Sequence, residues 1–144
     1  MIERIPQRTK EDCTICAVAM VMGPPYSYER VLRDSAKYPQ VLENVKFHAW
    51  WEPYLSAEGF RAVYRPFLDL CNLPRFRGRV VGLLGMTITH IRKRHIVAVD
   101  ELGIIDPADG APDHIFYIEI GNYINERESQ GFTFDDDFLA VERK

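Results

Sequence analysis

Apolar positions crowd a short stretch near the N-terminus, then thin to helical spacing, and after Pro74 gather into short runs separated by turn residues. The first stretch, Cys13-Thr14-Ile15-Cys16-Ala17-Val18-Ala19-Met20-Val21-Met22, is apolar nearly all round and predicts a buried helix. Gly23-Pro24-Pro25 supplies its stop, because neither proline can continue the hydrogen-bond ladder. Asp12 offers an N-cap, and Thr9 with Asp12 at i, i+3 offers a competing capping box one turn earlier; either places Cys13 in the first turn. Residues 27 to 36 form a polar amphipathic segment with Val31 and Leu32 inward. Residues 41 to 58 carry Val45, Trp50, Tyr54 and Leu55 at helical spacing, and Pro53 predicts a break or kink there.

Arg61-Ala62-Val63-Tyr64-Arg65 alternates in the manner of a strand. Further strands are predicted over residues 79 to 86, 95 to 101, 103 to 105, 115 to 120 and 138 to 141. Leu102-Gly103 occupies the place of a tight hairpin turn, and Asp106-Pro107 ends the return strand. Helices over about residues 9 to 60 followed by an antiparallel sheet over about 61 to 144 define the α+β class, within one domain spanning 1 to 144.

Composition narrows the function classes. The 144 residues are 47% hydrophobic, with a net charge of −3 and dispersed basic residues, so the footprint required by a phosphate backbone is missing and nucleic acid is a poor partner. The polar N-terminus does not read as a secretory signal. No run approaches the ~18 apolar residues of a membrane span, so none is predicted. An odd count of three cysteines suits reduced thiols in a cytoplasmic setting better than a disulfide framework.

Each thiol then needs its own account. A cysteine is nucleophilic as thiolate, and backbone N–H dipoles at a helix start favour that anion, which singles out Cys13. Its base should be a histidine on a rigid element, and His95 opens a predicted strand after the basic Arg92-Lys93-Arg94. If 95–101 and 103–105 pair as a hairpin, Asp106 comes alongside His95, where a carboxylate fixes the tautomer and stabilises the imidazolium. Gln7, six residues before Cys13, offers an amide to an oxyanion together with the Cys13 N–H.

Gln7, then Asp12-Cys13 leading an Ala- and Met-rich helix, then His95-Ile96-Val97-Ala98-Val99 and Ile105-Asp106-Pro107-Ala108-Asp109-Gly110, resembles the C39 peptidases, which include the bacteriocin-processing domains of peptide exporters. The resemblance spans roughly residues 5 to 110. It implies a papain-like fold, a peptide or protein substrate, no cofactor, and Cys13 as nucleophile, His95 and Asp106 as its partners and Gln7 as oxyanion donor. Thr14 departs from the family, which usually has glycine after the cysteine, and residues 122 to 144 have no clear equivalent.

Competing readings concern the same residues. Cys16 and Cys71 read as small buried hydrophobes. Cys13-Thr14-Ile15-Cys16 has the spacing of a redox dithiol, but the polar segment before it does not read as the strand of a thioredoxin-like unit. His48, His90 and His114 are scattered, and with one C-x-x-C pair they do not make the doubled cluster of a structural zinc site. His90 lacks an Asp-Pro turn in register. Asp100 lies far down its strand, and Asp109 suits a turn with Gly110. Asp135-Asp136-Asp137 reads as a solvated loop, and Trp51 or Phe47 as groove candidates. A non-catalytic binding module or inhibitor on a peptidase fold is the remaining alternative.

Overall fold

A computed structural model describes residues 2–9, 12–38, 50–67 and 81–144. In chain order the elements are α1 (Cys13–Met22), α2 (Tyr28–Ser35), α3 (Trp51–Ala57), β1 (Phe60–Pro66), β2 (Val81–Ile88), β3 (Lys93–Asp100), β4 (Gly103–Ile105), β5 (Ile115–Phe116), α4 (Ile120–Ser129), β6 (Thr133–Phe134) and β7 (Asp137–Arg143). The strands form one antiparallel sheet in the order β1-β7-β2-β3-β4-β5, with β6 pairing β2. The class is α+β. Among the described residues no helix is long and apolar enough to cross a membrane.

The central strands are covered on both faces, which is why they read as nearly continuous apolar runs. Leu83, Ile96, Ala98 and Ile105 turn to one side and pack with α1, Val31 of α2, and Tyr54 and Leu55 of α3. Leu84, Met86, Val97, Val99 and Ile104 turn to the other side and pack with Ile120 and Tyr123 of α4 and with Phe132. The two-residue side-chain period of a strand thus sorts neighbouring residues of β3 into two separate cores.

Several elements differ from the sequence pattern for identifiable reasons. Val31 is fully buried, but Leu32, one position further round α2, is 47% exposed. Ser27 caps α2, its hydroxyl accepting from Arg30 N at 3.2 Å. Pro53 is the third residue of α3, within the first turn, whose N–H groups have no helical acceptor, so the helix accommodates it at its start. The remainder of that predicted segment, 41 to 49, lies outside the described residues, as do Phe47, His48 and Cys71. Of the run 115 to 120 only Ile115–Phe116 is strand; the chain then passes through a 3₁₀ turn, Tyr117–Glu119, into α4, which the sequence pattern did not predict. Asp135 is not merely solvated: Arg94 Nη2 and Nη1 donate to its two carboxylate oxygens at 2.6 and 3.1 Å, tying β3 to the turn before β7.

The hairpin that carries the site turns one residue earlier than expected. Asp100 faces Gly103 across β3 and β4, so Glu101 and Leu102 form the tip. The Asp100 carboxylate accepts from Leu102 N at 2.9 Å and Gly103 N at 3.2 Å. Gly103 has φ 147°, and a Cβ there would lie 2.0 Å from the Ile115 carbonyl oxygen on β5. Gly103→Ala is expected to cost at least about 2 kcal/mol, since backbone on both sides would have to shift. Urea unfolding checks this through a lowered midpoint at constant slope.

Candidate active site

β4 pairs with β3 only from Ala98 to Asp100, so the earlier part of β3 has no β4 ladder along that edge. Cys13 and Asp106 meet His95 there. Cys13 is the first residue of α1, at the end of the helix where unpaired N–H groups favour an anion. α1 is anchored by packing on β3, and Asp12 steadies its approach. The Asp12 carboxylate does not cap the helix as expected. It accepts from Arg8 N at 3.0 Å, Thr9 N at 3.2 Å and Tyr28 Oη at 2.8 Å, which folds the incoming segment back on itself.

His95 is 7% exposed and Asp106 is fully buried. His95 Nε2 lies 2.6 Å from Asp106 Oδ1, which directs Nδ1 to the thiol of Cys13. The second Asp106 oxygen is held from α4: Tyr123 Oη donates to Oδ2 at 2.6 Å and Arg127 Nη2 at 2.5 Å. Ala108 N donates to Oδ1 at 2.8 Å, closing an Asx turn over Pro107. Four donors on one buried carboxylate fix its plane and hence the imidazole it faces. The ring of Phe132, 6.4 Å from that of His95, walls the same side.

The electrostatics follow from these contacts. Burial alone would push Asp106 up, but the His95 hydrogen bond and charge, with Tyr123 and Ala108, hold it well below the usual carboxylate range. Burial would likewise push His95 down; the Asp106 carboxylate and the Cys13 sulfur outweigh it and raise the imidazole to about 9. For Cys13, burial pushes the thiol up and is outweighed by the hydrogen bond and positive charge of His95, with the Ile96 N–H and the Thr14 hydroxyl adding to that, so the thiol lies below its ordinary value. The lowered thiol and the raised imidazole both favour the thiolate–imidazolium pair over the neutral pair.

Gln7 is placed differently. Its backbone N–H donates to Pro107 O at 2.7 Å, and Arg4 donates to the carbonyls of Asp106 and Ala108 at 2.9 and 2.6 Å, so the N-terminal segment is tied to the Asp106-Pro107 turn. The Gln7 side-chain amide donates to Thr9 O at 2.9 Å, committing one of its two hydrogens to its own loop.

The other candidates separate cleanly. Cys16 is fully buried, its thiol points to Pro6 O at 3.6 Å, and burial pushes it up to about 12. His114 forms its own pair with Asp100, Nε2 to Oδ2 at 3.0 Å, at the far end of β3. His90 lies in an exposed 3₁₀ turn, and Trp51 is half-buried against the helical core. Tyr123 and Arg127 escaped the sequence reading; the i, i+4 spacing of two long polar side chains on a helix that also buries Ile120 was the available signal. Compared with families of known proteins, with curated proteins and with solved structures, the chain finds no match in any of the three.

Proposed function

We propose that the chain is a papain-like cysteine hydrolase of the C39 type that cleaves a peptide or amide bond through a Cys13 thioester. The observation that carries this reading is the His95 ring held between the Cys13 thiol and an Asp106 oxygen 2.6 Å away. In the proposed cycle Cys13 sulfur attacks the carbonyl carbon, and the oxyanion takes hydrogen bonds from the Cys13 N–H and the second Gln7 N–H. His95 gives its proton to the leaving amine, then takes one from the water that releases the acid. Asp106 keeps the imidazole oriented and stabilises its charged form. The same residues serve a deamidase, whose leaving group is ammonia, or an acyl transferase, whose acyl acceptor is an amine or alcohol in place of water, equally well.

The dithiol alternative is disfavoured by Cys16, whose buried thiol is raised to about 12 and is directed at a backbone carbonyl. Cys16→Ser is expected to leave hydrolysis within about threefold of wild type, whereas a redox dithiol would be abolished. A second reading, a binding module that keeps the site without using it, has one observation in its favour: Cys13 is only 6% exposed. Acid-quenched incubation with a peptide mixture separates the two. The hydrolase reading predicts a hydroxylamine-labile acyl adduct on Cys13 by mass spectrometry, missing in Cys13→Ser; unmodified Cys13 and intact peptides across the mixture would contradict it.

A further inference from the structure

A carboxylate that merely orients a histidine needs one good partner, yet Asp106 has a full guanidinium on its other oxygen. Arg127 Nη2 lies 2.5 Å from Asp106 Oδ2, and its side chain is only 18% exposed. The guanidinium is itself clamped: Nη1 donates to Gln130 Oε1 at 3.1 Å, and its central carbon sits 5.6 Å from the Tyr123 ring centroid and 5.5 Å from that of Phe132. Placing a partly buried cation there requires a purpose, because desolvating it is costly unless its charge is used.

The charges suggest the purpose. With Cys13 as thiolate and His95 as imidazolium, Asp106 would leave the buried unit with a surplus negative charge that opposes the thiolate. Arg127 makes the sum zero. We propose that Arg127 is a positioning residue that balances the charge of the Cys13, His95 and Asp106 unit, with Tyr123 fixing the same carboxylate oxygen. This rests on the cysteine hydrolase reading for its consequence, but the charge balance can be measured without it. Among the described residues, further charged or titratable groups near the unit are Arg4, bound to the Asp106 carbonyl, Lys93, whose ammonium lies 5.9 Å from the Phe132 ring centroid, and Cys16, whose thiol feels the Cys13 charge.

The sign is fixed by electrostatics. Losing the Arg127 cation favours the protonated form of His95, both directly and because Asp106, keeping Ala108 N and Tyr123 Oη, becomes a stronger acceptor. A helix that only braces the fold would, when loosened, release Asp106 and let the imidazole fall toward its ordinary value. The test is an NMR titration of the His95 ring in the full chain, in wild type, Arg127→Met, Arg127→Lys and Tyr123→Phe, each also with Cys13→Ala. The expected result is a His95 midpoint raised at least threefold in proton affinity by Arg127→Met, raised less by Tyr123→Phe, and held within twofold of wild type by Arg127→Lys. An unchanged or lowered midpoint in Arg127→Met, or a shift in Arg127→Lys equal to that of Arg127→Met, overturns the proposal. If Arg127→Met does not fold, Arg127→Gln, which removes the charge and keeps an N–H donor at the same place, decides it by the same sign. The Cys13→Ala series reads the coupling of Arg127 to His95 through Asp106 with no thiolate present, so an inert Cys13 would refute the hydrolase and still leave that coupling measured.

Discussion

His95→Ala is expected to slow acylation of Cys13 at pH 7 by roughly a thousandfold, within the range that a positioned acid or base contributes. Two losses combine. The thiol of Cys13 lies below its ordinary value chiefly because the His95 hydrogen bond and charge outweigh burial; without them burial dominates and the thiolate population collapses. The leaving amine also loses its proton donor. Single-turnover measurement of the acyl adduct checks the loss, and its pH dependence tells the two parts apart. Raising the pH should recover the share due to thiolate population and leave the share due to proton donation. An acylation rate within tenfold of wild type at pH 7 would remove His95 from the mechanism.

The second large effect falls on stability. Asp106→Ala leaves the Arg127 guanidinium and the His95 imidazole with no carboxylate in a site where the original carboxylate is fully buried. Breaking such a pair by removing one partner costs about 3–5 kcal/mol. The pH dependence is specific. Asp106 is held below its ordinary value, so its contribution is present above the usual carboxylate range and is lost as the pH falls toward its native value. His95 is raised to about 9, so its contribution is complete below the ordinary imidazole value and is lost as the pH rises through about 9. The difference in unfolding free energy between wild type and Asp106→Ala should therefore be widest from about pH 4.5 to 6.5 and narrow on either side. Denaturant titrations at several pH values check it, and a flat difference would show that the cost is packing alone.

The parts of this site that were legible in the sequence are those whose local signals are strong. A helix closed by Gly23-Pro24-Pro25 placed Cys13 at its start, and a short hairpin brought Asp106 back along the first half of β3, within reach of His95. The support for Asp106 was not legible. Ile115 to Ile120 has the β-branched and aromatic texture of a strand, but only Ile115–Phe116 finds a partner in the sheet, and Ile118 is 92% exposed. Tertiary pairing, not propensity, ended that strand. α4 in turn buries only Ile120 and Tyr123 among polar residues, so its apolar stripe is too thin to stand out, and Arg127 looks like any surface arginine until Asp106 is seen beneath it. Leu32 failed for the converse reason: an apolar residue next to an inward one need not share its face, and exposed leucines carry little cost.

The proposed chemistry requires Cys13 to be a thiolate beside an imidazolium. The most direct measurement is the rate of iodoacetamide alkylation of Cys13 as a function of pH, read residue by residue by mass spectrometry with Cys16 as the internal reference. Cys13 should be alkylated fast near neutral pH, with a lower limb below the ordinary thiol value and a second change near about 9 as His95 loses its proton, while Cys16, pushed up to about 12, remains unmodified. A single titration at or above the ordinary thiol value, unaffected by His95→Ala, would contradict it.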